Sequence, residues 1–272
     1  MAERKPFIFP KDIPIEQYPG PEVFLAEGKR IIAEAQKQGI VLRVMGPLAL
    51  HYYFPDDIPL YAKLERLGER YFTDIDYAGY GKQRKKYMDL FKGLGYECDL
   101  MTMAQTGKVR QIYYGGAVPM IDIFINSLNY CHEIKFEGRL ETDPYSIPLA
   151  DILLQKLQIV EINDKDLKDI EFLFAVSEFG DDDDRKINQS YIAKRFADDW
   201  GFWYTATQLN LPKVKTHCDE VTALSPEQRQ RVKAMTDQLL ARVEAEPKSK
   251  GWQKRSEKGT SKIWYSEGFS DW

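Results

Sequence analysis

The sequence predicts an α+β protein: a mixed β-sheet flanked by helices, followed by a mostly helical C-terminal region. Three observations lead there. Short apolar runs bounded by Gly and Pro alternate with 3.6-period stretches in the first half. Beyond about residue 145 the periodicity is helical almost throughout. Hydrophobic residues make up 43% of the 272, enough to bury a core and to set disorder aside.

In chain order, residues 1–20 are proline-rich without a period and read as an extended arm. Residues 21–38 follow a helical pattern, with Gly39 placed as a C-terminal stop. Residues 40–45 read as a buried strand ending at Gly46, then a short helix over 48–54 that Pro55 breaks. A strand is expected over 71–77 and an amphipathic helix over 82–94, stopped by Gly95. Strands follow over 109–114 and 119–125, separated by Gly115-Gly116, with another over 132–136. Helices are expected over 150–162 and 165–179, then one capped by Asn188 and running to about residue 200. Ser225-Pro226-Glu227-Gln228 combines an N-cap, a first-turn proline and a capping-box glutamine, opening a helix to about residue 244. These elements divide the chain into an arm (1–20), an α/β domain (21–145), a helical region (146–246) and a basic, aromatic tail (247–272).

Bulk properties narrow the function. A formal charge of -4 gives no overall attraction to nucleic acid or anionic membrane, so a polyanion would need a local basic patch. No apolar run approaches the ~20 residues that span a bilayer, and the N-terminus lacks a signal peptide's apolar core. Three widely spaced cysteines without a CxxC pair suggest neither a disulfide framework nor structural zinc. A cytoplasmic protein with reduced thiols is the expectation.

The segment that carries chemistry is Arg70-Tyr71-Phe72-Thr73-Asp74-Ile75-Asp76-Tyr77. Alternation along a strand turns Asp74 and Asp76 to one face, ~7 Å apart. Two such carboxylates repel, and a hard divalent cation with oxygen ligands relieves the repulsion. A solvated strand edge is the bland reading of the pair. Gly46 lies at a strand-to-helix junction, where backbone amides favour anions and a missing Cβ permits close approach. Asp122 is a lone acid within the apolar run Val118-Pro119-Met120-Ile121-Asp122-Ile123-Phe124, and there it needs a partner. That partner is either a metal shared with Asp74 and Asp76 or an Arg or Lys side chain.

In these residues the chain resembles the nucleotidyltransferase superfamily with the polymerase-beta-like fold, nearest its minimal and AbiEii-like branches. The family pattern is an hG[GS] turn, a DxD and a third acid on a later strand. Met45-Gly46-Pro47, Asp74-Ile75-Asp76 and Asp122 stand at those places. Arg70 fits the AbiEii-like R-x-x-x-D-x-D form, and Lys156-Leu157 with Lys165-Asp166-Leu167-Lys168-Asp169 fits that branch's KL…KDxxD element. The resemblance spans roughly residues 25–175. It implies a two-Mg²⁺ nucleotidyltransferase in which Asp74, Asp76 and Asp122 are metal ligands and catalytic residues. Asp122 would assist deprotonation of the acceptor. Gly46, Arg70, Lys156, Lys165, Asp166 and Asp169 would contact the nucleoside triphosphate. The acceptor would be RNA (tRNA among the candidates), a protein or a small hydroxylated molecule, and an AbiEii-type toxin would have a cognate antitoxin. Pro47 departs from the pattern: it has neither N–H nor hydroxyl, so one phosphate contact is lost. The alternative it raises is a nucleotide-binding module of the same fold with weakened catalysis. A third reading is a helical interaction protein whose acids are structural.

The tail interleaves Trp252, Lys254, Arg255, Lys262, Trp264 and Tyr265. It can stack on single-stranded nucleic acid or fold back as a two-stranded ribbon that packs its Trp rings on the body. The acidic run 181–184 lacks the ligand spacing of an EF-hand and reads as a solvated loop.

Overall fold

A computed structural model describes residues 8–68, 70–98 and 100–267. The first residues of the arm and the last of the tail lie outside the described residues. The chain divides into two compact units, each discontinuous in sequence. Unit 1 comprises Met1–Tyr52, Leu67–Leu128 and Lys135–Ile147; unit 2 comprises Tyr53–Arg66, Asn129–Ile134 and Pro148–Trp272. The change from sheet to helices thus falls at Ile147/Pro148, while two upstream segments join the helical unit.

Unit 1 is built on a five-stranded mixed sheet. Its strands are β1 (Leu42–Val44), β2 (Ile75–Gly79), β3 (Glu97–Cys98), β4 (Arg110–Tyr114) and β5 (Met120–Ile125). The order across the sheet is β1-β2-β5-β4-β3. The central pair, β2 and β5, is parallel, and the other three pairs are antiparallel. Parallel central strands are apolar on both faces. Ile75, Tyr77, Ile121 and Ile123 share one face of that pair and are all fully buried, while Asp76 and Asp122 lie on the other face beside Ala78 and Phe124. That environment makes Asp122, at 1% exposure, the anomaly of the sheet.

Helix α1 (Pro21–Lys37) starts with proline at its first position and buries Phe24, Gly28, Ile31 and Ala35 along one stripe. Gly39 follows in the left-handed region at φ 64°, the stop that the sequence predicts. Helix α2 (Gly46–Tyr53) leaves the end of β1. A short helix, α3 (Ile58–Lys63), which the sequence reading omits, follows it in unit 2. Helix α4 (Arg84–Gly93) buries Tyr87, Leu90 and Phe91, and Gly95 follows at φ 87°.

One local expectation is corrected, and one element was not foreseen. The strand foreseen over 71–77 begins only at Ile75 and runs to Gly79. Ahead of it the Thr73 carbonyl accepts from the Tyr18 hydroxyl at 2.8 Å rather than from a strand, and the Tyr71 hydroxyl meets His51 Nε2 at 2.9 Å. Between Gly95 and the strand expected from residue 109, where the sequence reading assigns nothing, Leu100–Thr106 forms helix α5. It buries no residue, and Leu100 and Met101 are exposed, so no amphipathic period announces it.

Unit 2 is helical. Helix α6 (Leu149–Leu157) is buried on nearly every side, and α7 (Asp164–Val176) is capped by Asn163, whose side chain accepts from the Asp166 amide. Helices α8 (Gln189–Asp198), α9 (Trp200–Tyr204) and α10 (Leu211–His217) follow, with a π-helical turn over Thr205–Asn210. Then come α11 (Pro226–Ala245) and α12 (Lys250–Ser256). Asn188 caps α8 and the complete capping box opens α11, both as the sequence predicts. The described part of the tail forms helix α12 and a 3-10 turn over Gly259–Ser261 rather than a ribbon, but it does pack its aromatic rings. Trp252 meets Trp203 edge-on at 5.0 Å, and the Trp264 indole donates to Thr205 Oγ1 at 3.0 Å.

Candidate active site

The site in unit 1 forms where β1, β2 and β5 meet the start of α2. Asp76 and Asp122 are direct partners in the β2–β5 register. Partners in adjacent parallel strands lie about 4.8 Å apart and project to the same face. Two carboxylates so placed, one of them buried, require a cation. Asp74 immediately precedes β2 and is half-buried; Thr73 Oγ1 donates to its carboxylate at 2.9 Å.

Gly46 borders the same place. The Met45 amide donates to the Asp76 carbonyl at 2.9 Å, continuing the β1–β2 pairing to the helix start. Gly46 then takes φ 59°, a conformation that L side chains rarely adopt. The nearest atom to a Cβ built on it is Asp76 Oδ2, at 3.6 Å. The glycine is therefore a backbone requirement of the corner, and it sets the corner against the Asp76 carboxylate. Pro47 occupies the first turn of α2, where its missing N–H is harmless to the helix. Its carbonyl accepts from His51 Nδ1 at 2.9 Å; since a carbonyl only accepts, Nδ1 carries the proton.

The cation that the site supplies is Arg110. Its Nε lies 2.9 Å from each Asp122 oxygen, and Nη2 also contacts Oδ2. Register explains the contact. Arg110 pairs with Phe124 across the β4–β5 ladder, so Asp122 is its diagonal neighbour on the same face. The guanidinium lies over the Phe124 ring, 5.4 Å from its centroid. Burial pulls the Arg110 pKa down, but the hydrogen bonds and charge of Asp122, then the charges of Asp76 and Asp74, more than reverse it. All three acids thus act on one guanidinium. Of the two partners that the sequence left open for Asp122, the described structure displays the arginine.

Carboxylate oxygens such as those of Asp74, Asp76 and Asp122 are the donor type that a hard divalent ion takes. Among the described residues, however, no group of three or more His, Cys, Asp or Glu is arranged to hold a metal ion.

Arg70 lies beside Asp74 through Tyr18. Its guanidinium donates to the carbonyls of Lys11 and Ile13, at 3.3 and 2.7 Å, and sits over the Tyr18 ring at 5.1 Å. It thereby fastens the arm to unit 1. Burial, with Asp74 adding to it, pushes the Tyr18 hydroxyl up to about 12.

The remaining predicted contacts lie in unit 2, and three of them converge. Lys156 Nζ reaches Asp166 Oδ1 at 2.7 Å and Asp169 Oδ2 at 2.9 Å. Two residues that sequence reasoning missed complete the cluster: Arg66 Nε lies 2.7 Å from Asp169 Oδ1, and the Tyr61 hydroxyl donates to the same oxygen at 2.9 Å. Burial opposes charge on Asp169, yet Arg66 and Lys156 hold its carboxyl below the usual range. Lys165 is half-buried in the first turn of α7. Neither Arg66 nor Tyr61 belongs to a motif, and only the requirement that Asp169 be paired hinted at them.

In comparisons with known proteins, no family model, no curated protein and no solved structure matches this chain. No helix among the described residues is long and apolar enough to cross a membrane.

Proposed function

We propose that the chain is a Mg²⁺-dependent nucleotidyltransferase that moves a nucleoside monophosphate from an NTP to a hydroxyl acceptor. The observation that carries this reading is the register of Asp76 against Asp122 on parallel central strands, with Asp74 before them and Gly46 against Asp76. Asp74 and Asp76 would hold the metal, with Asp122 as the third ligand. Metal bound there would offset charge on the triphosphate and lower the pKa of the acceptor hydroxyl. The Gly46 corner leaves room for a phosphate to approach the backbone at the start of α2. Asp122 would take the acceptor's proton once its carboxylate is released from Arg110. The charged side chains of Lys156, Asp166 and Asp169 are committed to one another, which favours a supporting role in unit 2 over direct phosphate contact.

The test is incubation of the purified protein with Mg²⁺, each NTP labelled at the α-phosphate, and total RNA, protein or small hydroxylated acceptors. Label transfer is expected, and Asp74→Asn should reduce it by at least about 100-fold with the fold intact. Undiminished labelling by Asp74→Asn would refute the mechanism.

A second reading is favoured by the Arg110–Asp122 pair together with Pro47: a nucleotide-binding module with weakened catalysis. Calorimetric binding of Mg–NTP without any label transfer would select it.

A further inference from the structure

We propose that the exposed face built by α4, α5 and the turn into β4 is a docking surface for an acidic, amphipathic polypeptide segment of a partner protein. The inference goes beyond nucleotidyl transfer and stands whether or not the chain transfers nucleotides.

Apolar exposure and positive charge meet on this face. Met88, Leu100, Met101 and Val109 are exposed, more than half of the large apolar side chains so placed among the described residues. Helix α5 buries none of its residues, so its apolar side chains lie largely outside the core of unit 1. Gln111 ties the elements together: its Nε2 donates to the Arg84 carbonyl, in the first turn of α4, at 3.3 Å and to the Gly107 carbonyl, just past α5, at 3.1 Å. Met88 lies one turn beyond Arg84 on the same side of α4, and Val109 immediately precedes β4. Residues 82–109 carry six Lys or Arg against three acids, in a chain whose formal charge is -4. Arg84, Lys85, Lys86, Lys92 and Lys108 are all exposed. Arg84 and Lys92 share the line of Met88 along α4, and Lys108 adjoins Val109, so cations border the apolar side chains. A cluster of exposed apolar side chains marks an interaction site, and methionine suits a surface that adapts to its partner. The positive border selects a negatively charged partner and steers its approach. A phosphate backbone would answer the charge, but none of the four exposed apolar side chains is aromatic, so a nucleic-acid base has no ring to stack on. A second copy docking through the same face would set these cations against their own kind. An acidic polypeptide with an apolar stripe answers both features.

The test is fluorescence anisotropy of the full chain with a labelled synthetic peptide, about 18 residues of Leu and Glu in amphipathic helical order. Polyglutamate and oligouridylate of equal length serve as controls. Wild type should bind the amphipathic peptide at least about tenfold more tightly than either control. Lys85→Glu with Lys92→Glu, and separately Leu100→Ser with Met101→Ser, should each weaken that binding by about tenfold. Added salt should weaken it more in wild type than in the Lys pair. All four side chains are exposed, so the fold should survive; if thermal melts show that one pair does not fold, the other carries the test. Absence of peptide binding, equal or tighter binding of either control, or unchanged affinity in either folded variant would overturn the proposal. So would a dimer mass in light scattering that Leu100→Ser with Met101→Ser returns to a monomer, since a second copy would then be the occupant.

Discussion

Single side chains in this protein are defined by how a buried charge is met. Asp122 is met by Arg110, and Asp169 by Arg66, Lys156 and Tyr61. Glu171, with no exposed surface, is met by His217, whose Nδ1 lies 2.7 Å from its Oε1; His217 Nε2 lies 3.0 Å from Asp164. Burial pushes the Glu171 carboxyl up to about 7, with His217 only partly offsetting it. For His217, burial opposes protonation, but Glu171 and Asp164 outweigh it and raise the pKa above 6.5. Both groups hold protons more tightly folded than unfolded. Their contribution to stability is therefore complete at low pH and is lost as pH rises through about 7 and the raised His217 value. Melting temperature should fall as pH rises from about 4.5 through about 7 and the raised His217 value, and Glu171→Gln should flatten that slope by removing one group and the main partner of the other. An unchanged slope in the variant would dismiss the pair as its source.

At the scale of elements, caps and glycine stops are local, and they were legible. Ser225 Oγ accepts from the Gln228 amide at 3.2 Å, and Gln228 Oε1 accepts from the Ser225 amide at 2.9 Å. Ser225→Ala should lower stability by about 1 kcal/mol in chemical denaturation, the usual effect of removing an N-cap. A change within error would show that the first turn of α11 is held by packing alone. The 71–77 segment illustrates the opposite case. Its β-rich composition suits a strand, but the hydroxyl of Tyr18, remote in sequence, takes the Thr73 carbonyl, and the ladder begins only at Ile75. The ribbon expected of the tail became helix α12 because Ser249 caps it, its side chain accepting from the Trp252 amide at 3.2 Å. Its Arg255 lies over the Trp200 ring, 4.6 Å from the centroid.

At the scale of the whole molecule, the division into units follows buried contacts rather than chain order. Tyr53–Arg66 belongs to the helical unit, and Tyr61 and Arg66 from this segment bond Asp169 on α7. Two cations, Arg66 and Lys156, there balance two carboxylates, Asp166 and Asp169. Asp169→Asn leaves an excess buried cation and should destabilise the protein by about 3–5 kcal/mol, read as a lower denaturation midpoint. A loss below about 1 kcal/mol would mean that water or a rearranged partner meets the charge. What the sequence determined by itself is whatever depends on neighbours along the chain: the helix starts and stops, the apolar central strands, the DxD and the isolation of Asp122 within its strand. Only the tertiary structure decided that Asp122 meets Arg110, that Asp76 is its register partner and that Arg66 completes the Asp169 cluster. Those pairings depend on strand order, register and helix docking, which bring together residues that no local pattern connects.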